Sequence, residues 1–223
     1  MARRRRAWWI VGGPVAVLAL GLGVGPLVYA ALEEDAAAAP TVQAQPSDVE
    51  LAADTDGTWT VAPGSSAGYR VDEVLNGADV TVAGTTDRVT GSVVVQGGDI
   101  ASAEVTVDVA SISTDSGRRD DYFRGNVMDV GTHPTATFAV RGPVDLPELG
   151  GTPVTVPVTG DLTLRGTTRQ VQTDLAVVRT AGGVEASGAV PVVFADFGIS
   201  APDLGFVRVE DRGQVEFLLK LTL

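Results

Sequence analysis

The chain has 223 residues, a formal net charge of −12, 27 glycines and no cysteine. The missing cysteine excludes disulfides, thiolate metal sites, a cysteine nucleophile and a lipidated N-terminal cysteine. Arg3 to Arg6 hold four of the 16 basic residues, which leaves 12 basic against 28 acidic groups and a net −16, a surface that repels nucleic acid phosphates and excludes nucleic acid as an expected partner.

Residues 1–6 read as a basic cytoplasmic tail. Residues 7–32 carry no charge over 26 positions and are followed by Glu33-Glu34-Asp35. A helix rising about 1.5 Å per residue spans a hydrocarbon core of about 30 Å with this length, and the arginine cluster orients it. The expectation is a single-pass membrane anchor with the rest of the chain extracytoplasmic. A cleaved signal peptide is the competing reading, because Val28-Tyr29-Ala30 ends in a small residue and cleavage there would give a secreted protein. Gly21, Gly23, Gly25 and Pro26 loosen the outer half of the helix. Export holds under both readings.

Residues 33–57 are rich in Ala, Pro and acids and are expected to be a flexible linker. As a flexible chain, 25 residues hold a domain on the order of 30 Å away.

Residues 58–223 read as one all-β domain, rich in Val and Thr with Gly-bounded runs. Strands are expected at Thr58 to Val61, Ser66 to Val74, Val80 to Ala83, Arg88 to Val95 and Ile100 to Ile112, with a hairpin turn at Gly97-Gly98-Asp99. Val105, Val107 and Val109 alternate with Glu104, Thr106 and Asp108, as half-buried antiparallel sheet requires. Beyond a break at Asp115 to Phe138 the same alternation resumes. Ala136, Phe138 and Val140 share one face, as do Leu162 and Leu164, then Val171, Thr173, Leu175 and Val177. Pro143 to Pro153 reads as a loop, and Gly182-Gly183 turns the chain into Val184 to Phe194. The last run sets Val215, Phe217, Leu219 and Leu221 against Gln214, Glu216, Lys220 and Thr222. Such strands can close into a barrel or stack as a sandwich, and periodicity does not choose between them.

Within the break, Phe123, Val127 and Val130 recur at helical spacing, Ser116 stands at an N-cap position, and His133-Pro134 returns the chain to extended structure. One short helix is expected there.

Three stretches, Arg118 to Phe138 ("RRDDYFRGNVMDVGTHPTATF"), Gly160 to Val171 ("GDLTLRGTTRQV") and Phe194 to Ile199 ("FADFGI"), together with the opening Trp59 to Val71, resemble the YceI-like family in consistent order over Thr58 to Leu223. The resemblance implies an extended antiparallel lipocalin-like β-barrel with one short helix as an end cap. It also implies an apolar interior that holds a polyisoprenoid or other amphiphilic chain, in an exported protein. Arg119 and Asp120 match the family's Arg-Asp pair, Leu162 to Gly166 its "LTxxG" turn, and Asp196-Phe197-Gly198 its Asp-Phe-Gly. The chain departs where family members place aromatics, with Val127-Met128, and where Tyr commonly precedes Pro, with His133. Residues 71–89 are longer and more polar than the family pattern.

Catalytic residues are not expected, since the single histidine, His133, lies before a proline in what reads as a surface turn. Without clustered His or Cys, no metal or other cofactor is expected. Arg118 to Asp121 read as a solvated face or structural ion pairs rather than a head-group site.

By strand parity, Tyr69, Phe138, Leu162, Leu164, Phe194 and Phe217 are the candidate ligand-binding positions of the lumen. Tyr122, Phe123, Val127 and Met128 are the candidate entrance or cap residues. The expected function is non-catalytic holding of an apolar chain, such as an isoprenoid lipid or quinone. The alternative is a ligandless extracellular interaction or stress-response module with a solid core. A homodimer is a further expectation, formed through an uncovered strand such as Gln214 to Leu223.

Overall fold

The computed structural model describes residues 36–52 and 56–223. The expected basic tail and apolar anchor or signal segment lie outside the described residues, among which no helix is long and apolar enough to cross a membrane.

The domain is all-β. Its strands are β1 (Gly57–Val61), β2 (Ser66–Leu75), β3 (Ala78–Thr86), β4 (Val89–Gln96), β5 (Asp99–Asp108) and β6 (Thr135–Val140). After them come β7 (Val144–Asp145), β8 (Val154–Leu164), β9 (Thr167–Thr180), β10 (Gly183–Val193) and β11 (Val207–Thr222). The one short helix, α1 (Gly117–Tyr122), runs into a wider π turn over Phe123–Val127. Ser116 occupies its N-cap with extended backbone, although its side chain makes no capping hydrogen bond.

All strand pairs are antiparallel, in the order β1, β4, β5, β6, β8, β9, β10, β11, and β11 returns to β1 through Thr60 opposite Thr222 and Val61 opposite Leu221. Eight strands therefore close on themselves, which resolves the choice between barrel and sandwich in favour of the barrel. Closure pairs every strand of the ring on both edges. It also corrects one expectation: Gln214 to Leu223 is not an uncovered strand, since β10 pairs along one edge and β2 and β1 share the other.

That shared edge shapes the molecule. The first part of β11, Val207 to Leu218, pairs with β2, and its end pairs with β1. β1 continues around the ring to β4, whereas β2 pairs with β3, and β3 meets the β5 side through the Thr85 to Ser113 bridge. Toward one end of the barrel the wall is thus sealed by β1 and β4. At the other a seam lies between β3 and the end of β5, and the segment containing α1 sits there. The polar stretch after Tyr69 is the β2–β3 hairpin, turned by Asn76-Gly77 with both φ angles positive, the backbone that an Asn-Gly pair favours.

Residues 36–52 depart from the flexible-linker expectation. They form a strap across the outer face of the barrel. The Ala36 N–H donates to the Thr81 carbonyl, that of Val42 to the Ser187 hydroxyl, that of Gln45 to the Gly151 carbonyl and that of Ala52 to the Thr180 carbonyl. Arg70 donates to the Ala37 carbonyl and to Glu216, the latter at 2.6 Å. Composition hid this because the strap is held by its backbone and by one apolar side chain, Val42, which is 7% exposed. Under it, the outward-facing Ser187 and Glu216 are buried, and both have hydrogen-bond partners, as buried polar groups require.

Val42→Asp places a charge in that contact. The expected outcome is a protease-sensitive strap on an intact barrel, with unfolding free energy lowered by about 2 kcal/mol, checked by limited proteolysis and urea denaturation.

Candidate functional site: a two-part apolar lumen

Inward-facing residues surround two cavities that meet along the barrel axis. The deeper, about 130 Å³, lies toward the sealed end between Trp59, Val93, Phe138, Leu162, Leu175, Phe217 and Leu221. The second, about 560 Å³, lies toward α1 and is bounded by Tyr69, Val82, Ile112, Tyr122, Phe123, Leu164 and Phe194. Ala67, Val107, Ala136 and Val215 line both, so small side chains mark the junction. Leu204 and Phe206, 48% and 58% exposed, also line the second cavity. The second cavity therefore reaches solvent at its rim.

Space survives because large rings lie on glycines. A Cβ at Gly188 would come within 2.9 Å of the Phe217 ring, one at Gly160 within 2.4 Å of Phe138, and one at Gly84 within 2.6 Å of Tyr69. Gly188 is directly opposite Phe217 and Gly84 directly opposite Tyr69 across their strand pairs. Each ring rests where a neighbouring side chain would stand, so it becomes wall instead of filling the centre.

All ten candidates line this lumen. Phe138, Leu162 and Phe217 bound the deep part, while Tyr69, Leu164, Phe194, Tyr122, Phe123, Val127 and Met128 bound the rim part. Tyr69 and Phe123 stack with ring centroids 4.7 Å apart and planes 20° apart, which ties the cap to β2.

Strand parity misses other lining residues. Leu146 and Leu149 come from the stretch read as a loop, which contains β7 and folds over the sealed end. Leu204 and Phe206 precede the part of β11 that shows alternation. Glu73 was also unforeseen, because a carboxylate sits in an inward row with Tyr69, Val71 and Leu75. It is 6% exposed and pairs with Arg119 of α1 at 3.6 Å. Arg119 also pairs with Asp115, which bears out the structural reading of the charged run in part. Asp120 differs from the expected solvated face, being buried and accepting hydrogen bonds from the Thr114 N–H and hydroxyl, both at 2.8 Å.

The three stretches behind the resemblance converge at the rim. The Arg165-Gly166 turn between β8 and β9 has positive φ at both residues, 47° and 72°. The His133 ring lies so close that a Cβ at Gly166 would be 2.7 Å from it, and Arg165 donates to the Gly198 carbonyl of Asp196-Phe197-Gly198. Glycine suits this turn on both grounds.

A closed lipocalin-like barrel with an apolar lumen and a short helix at its rim defines the class. Residues 59–221 match the YceI-like domain model, and the chain belongs to the YceI-like family. The fold is similar to the crystal structure of Burkholderia cenocepacia BcnA, with a TM-score of 0.60 and 24% identity, covering 73% of this chain and 99% of that one. It is also similar to a polyisoprenoid binding domain from Saccharophagus degradans, described as implicated in plant cell wall breakdown, with a TM-score of 0.61 and 21% identity, covering 74% and 97%. No curated sequence matches the chain.

Burial pushes the Tyr69 phenol up from 10.0 to about 12; Arg119 opposes the shift, and Asp120, Glu73 and Asp115 add to it. The phenol is therefore neutral at the rim of the lumen across physiological pH. Since the unfolded chain loses this proton first, stability falls as pH rises from 10 toward 12, by roughly 2 to 3 kcal/mol for this group. Tyr69→Phe is expected to flatten that alkaline loss relative to wild type, read from urea midpoints between pH 9 and pH 12.

Proposed function

We propose that the protein holds an apolar chain, such as an isoprenoid lipid or quinone, inside the barrel without catalysis, on the extracytoplasmic side of a membrane. The observation that carries this reading is the two-part apolar lumen, with the rings of Tyr69, Phe138 and Phe217 lying against Gly84, Gly160 and Gly188. An apolar cavity near 130 Å³ does not hold water stably, and filling it with hydrocarbon contributes about 25 cal/mol per Å² of apolar surface buried, before ordering costs. The larger cavity has the size of small-molecule sites in general.

Polarity is confined to the rim, where Tyr69, Glu73 and Arg119 gather. A chain entering tail first would leave its head beside them. Glu73 and Arg119 pair with each other and Arg118 lines the same end, so a head bearing a hydroxyl or carbonyl that accepts hydrogen bonds suits it. The polyisoprenoid bound by the domain from Saccharophagus degradans has a tail of the required kind. The uncharged run at residues 7–32 supports export and a location at the membrane.

Lipid extraction and native mass spectrometry of protein purified from its own host are expected to show one bound amphiphile. Ala186→Phe, on a buried inward position of the deep cavity, should remove that mass while the circular dichroism spectrum stays unchanged. No amphiphile on wild type would refute the reading. Overpacking by Ala186→Phe, with a loss of about 1 to 3 kcal/mol and partial unfolding, would favour a solid core instead.

A further inference from the structure

The strap fixes the chain to the barrel at Ala36, whose N–H donates to the Thr81 carbonyl at 2.9 Å. The uncharged run read from the sequence ends at Leu32, so residues 33–35 alone separate it from a fixed point on β3. From Leu32 to Ala36 the extended chain takes four steps and reaches about 14 Å, well short of the roughly 30 Å that a free tether of residues 33–57 would allow.

The fixed point lies in the rim half of the barrel. Thr81 is opposite Asp72, and the Asn76-Gly77 hairpin tip is about 14 Å further along the strand. Beside that tip the Asn76 N–H donates to the Phe206 carbonyl at 2.8 Å. Leu204 and Phe206 stand exposed there and line the rim cavity. The short connection and the exposed apolar rim therefore share one end of the molecule.

We propose that Leu204 and Phe206 dock on the lipid surface that holds residues 7–32, so that the rim cavity opens into the bilayer interface. An apolar chain then enters or leaves the barrel without crossing water. The inference rests on the chain-holding reading above and on residues 7–32 being an uncleaved anchor. Since the chain beyond Arg6 carries a net −16, the contact is apolar rather than electrostatic. It should persist on zwitterionic phosphatidylcholine and in high salt.

The absence of cysteine makes single labelling sites simple to introduce. The full chain, reconstituted in phosphatidylcholine vesicles, carries an environment-sensitive fluorophore at Phe206→Cys or, as a control, at Leu223→Cys. Leu223 is also exposed but follows the far end of β11. Brominated phosphatidylcholine is expected to quench the label at 206 and spare the label at 223, at low and high salt alike. The double variant Leu204→Ser, Phe206→Ser should slow transfer of a fluorescent isoprenoid from donor vesicles about tenfold.

Equal quenching at both sites, or none at 206, overturns the proposal. So does disulfide crosslinking of 206 to 206, which would mean that a second copy covers the rim. Lipid extraction of the same samples separates the two readings. Bound amphiphile without quenching removes docking alone, whereas quenching without bound amphiphile supports docking and removes the carrier role.

Discussion

The pairing of one edge of β11 by two different strands is the constraint on which the rest depends. β11 is 16 residues long, longer than either β1 or β2, so the two take successive parts of its edge. The part paired with β1 continues to β4 and closes the ring, since an unpaired edge inside a barrel wall would leave backbone donors and acceptors unsatisfied. The part paired with β2 ends in the β3 hairpin instead. A sealed end, a seam at the other end and a helix placed in that seam all follow from the same division.

Within this frame, the size of the lumen is decided by how side chains of opposite strands meet. A barrel of eight strands is wide enough for side chains to fill or for one small ligand to occupy. Here three rings lie over three glycines, and the junction of the two cavities is lined by Ala67, Val107, Ala136 and Val215. Charge is kept to the rim, where α1 supplies Arg119 to meet Glu73. The outer face shows the reverse arrangement, with Arg70 and Glu216 paired beneath the strap. Both pairs follow one rule: a carboxylate taken from water is accommodated by a cation that replaces part of the lost solvent.

Much of the barrel was legible because its strands carry period-two alternation. Phe138, Leu162, Leu164 and Phe217 could be placed on the inner face by parity, and Phe123 and Val127 on the cap by helical spacing. The three motif stretches were legible as a resemblance, and their physical sense appears only in space, where His133, Arg165, Gly166 and Gly198 meet at one rim. Leu146, Leu149, Leu204 and Phe206 were not legible, because segments outside long strands have no period to betray which side faces inward. Glu73 was hidden for a different reason. An acid within an apolar row looks like an outward residue until its partner, Arg119, is brought to it from 46 positions away.

By itself the sequence determined the all-β class, the antiparallel alternation, the short helix and the family, since each is written in neighbouring residues and local spacing. Tertiary structure decided closure into a ring, the division of the β11 edge, the two-part lumen and the docking of residues 36–52. Each of these depends on which distant backbone groups meet. The Ala36 to Thr81 contact and the Val42 to Ser187 contact link an Ala- and Pro-rich stretch to strands far along the chain, and no local pattern in that stretch announces them. Composition describes what a segment can bury, whereas the fold determines which unpaired backbone and side-chain groups lie within its reach.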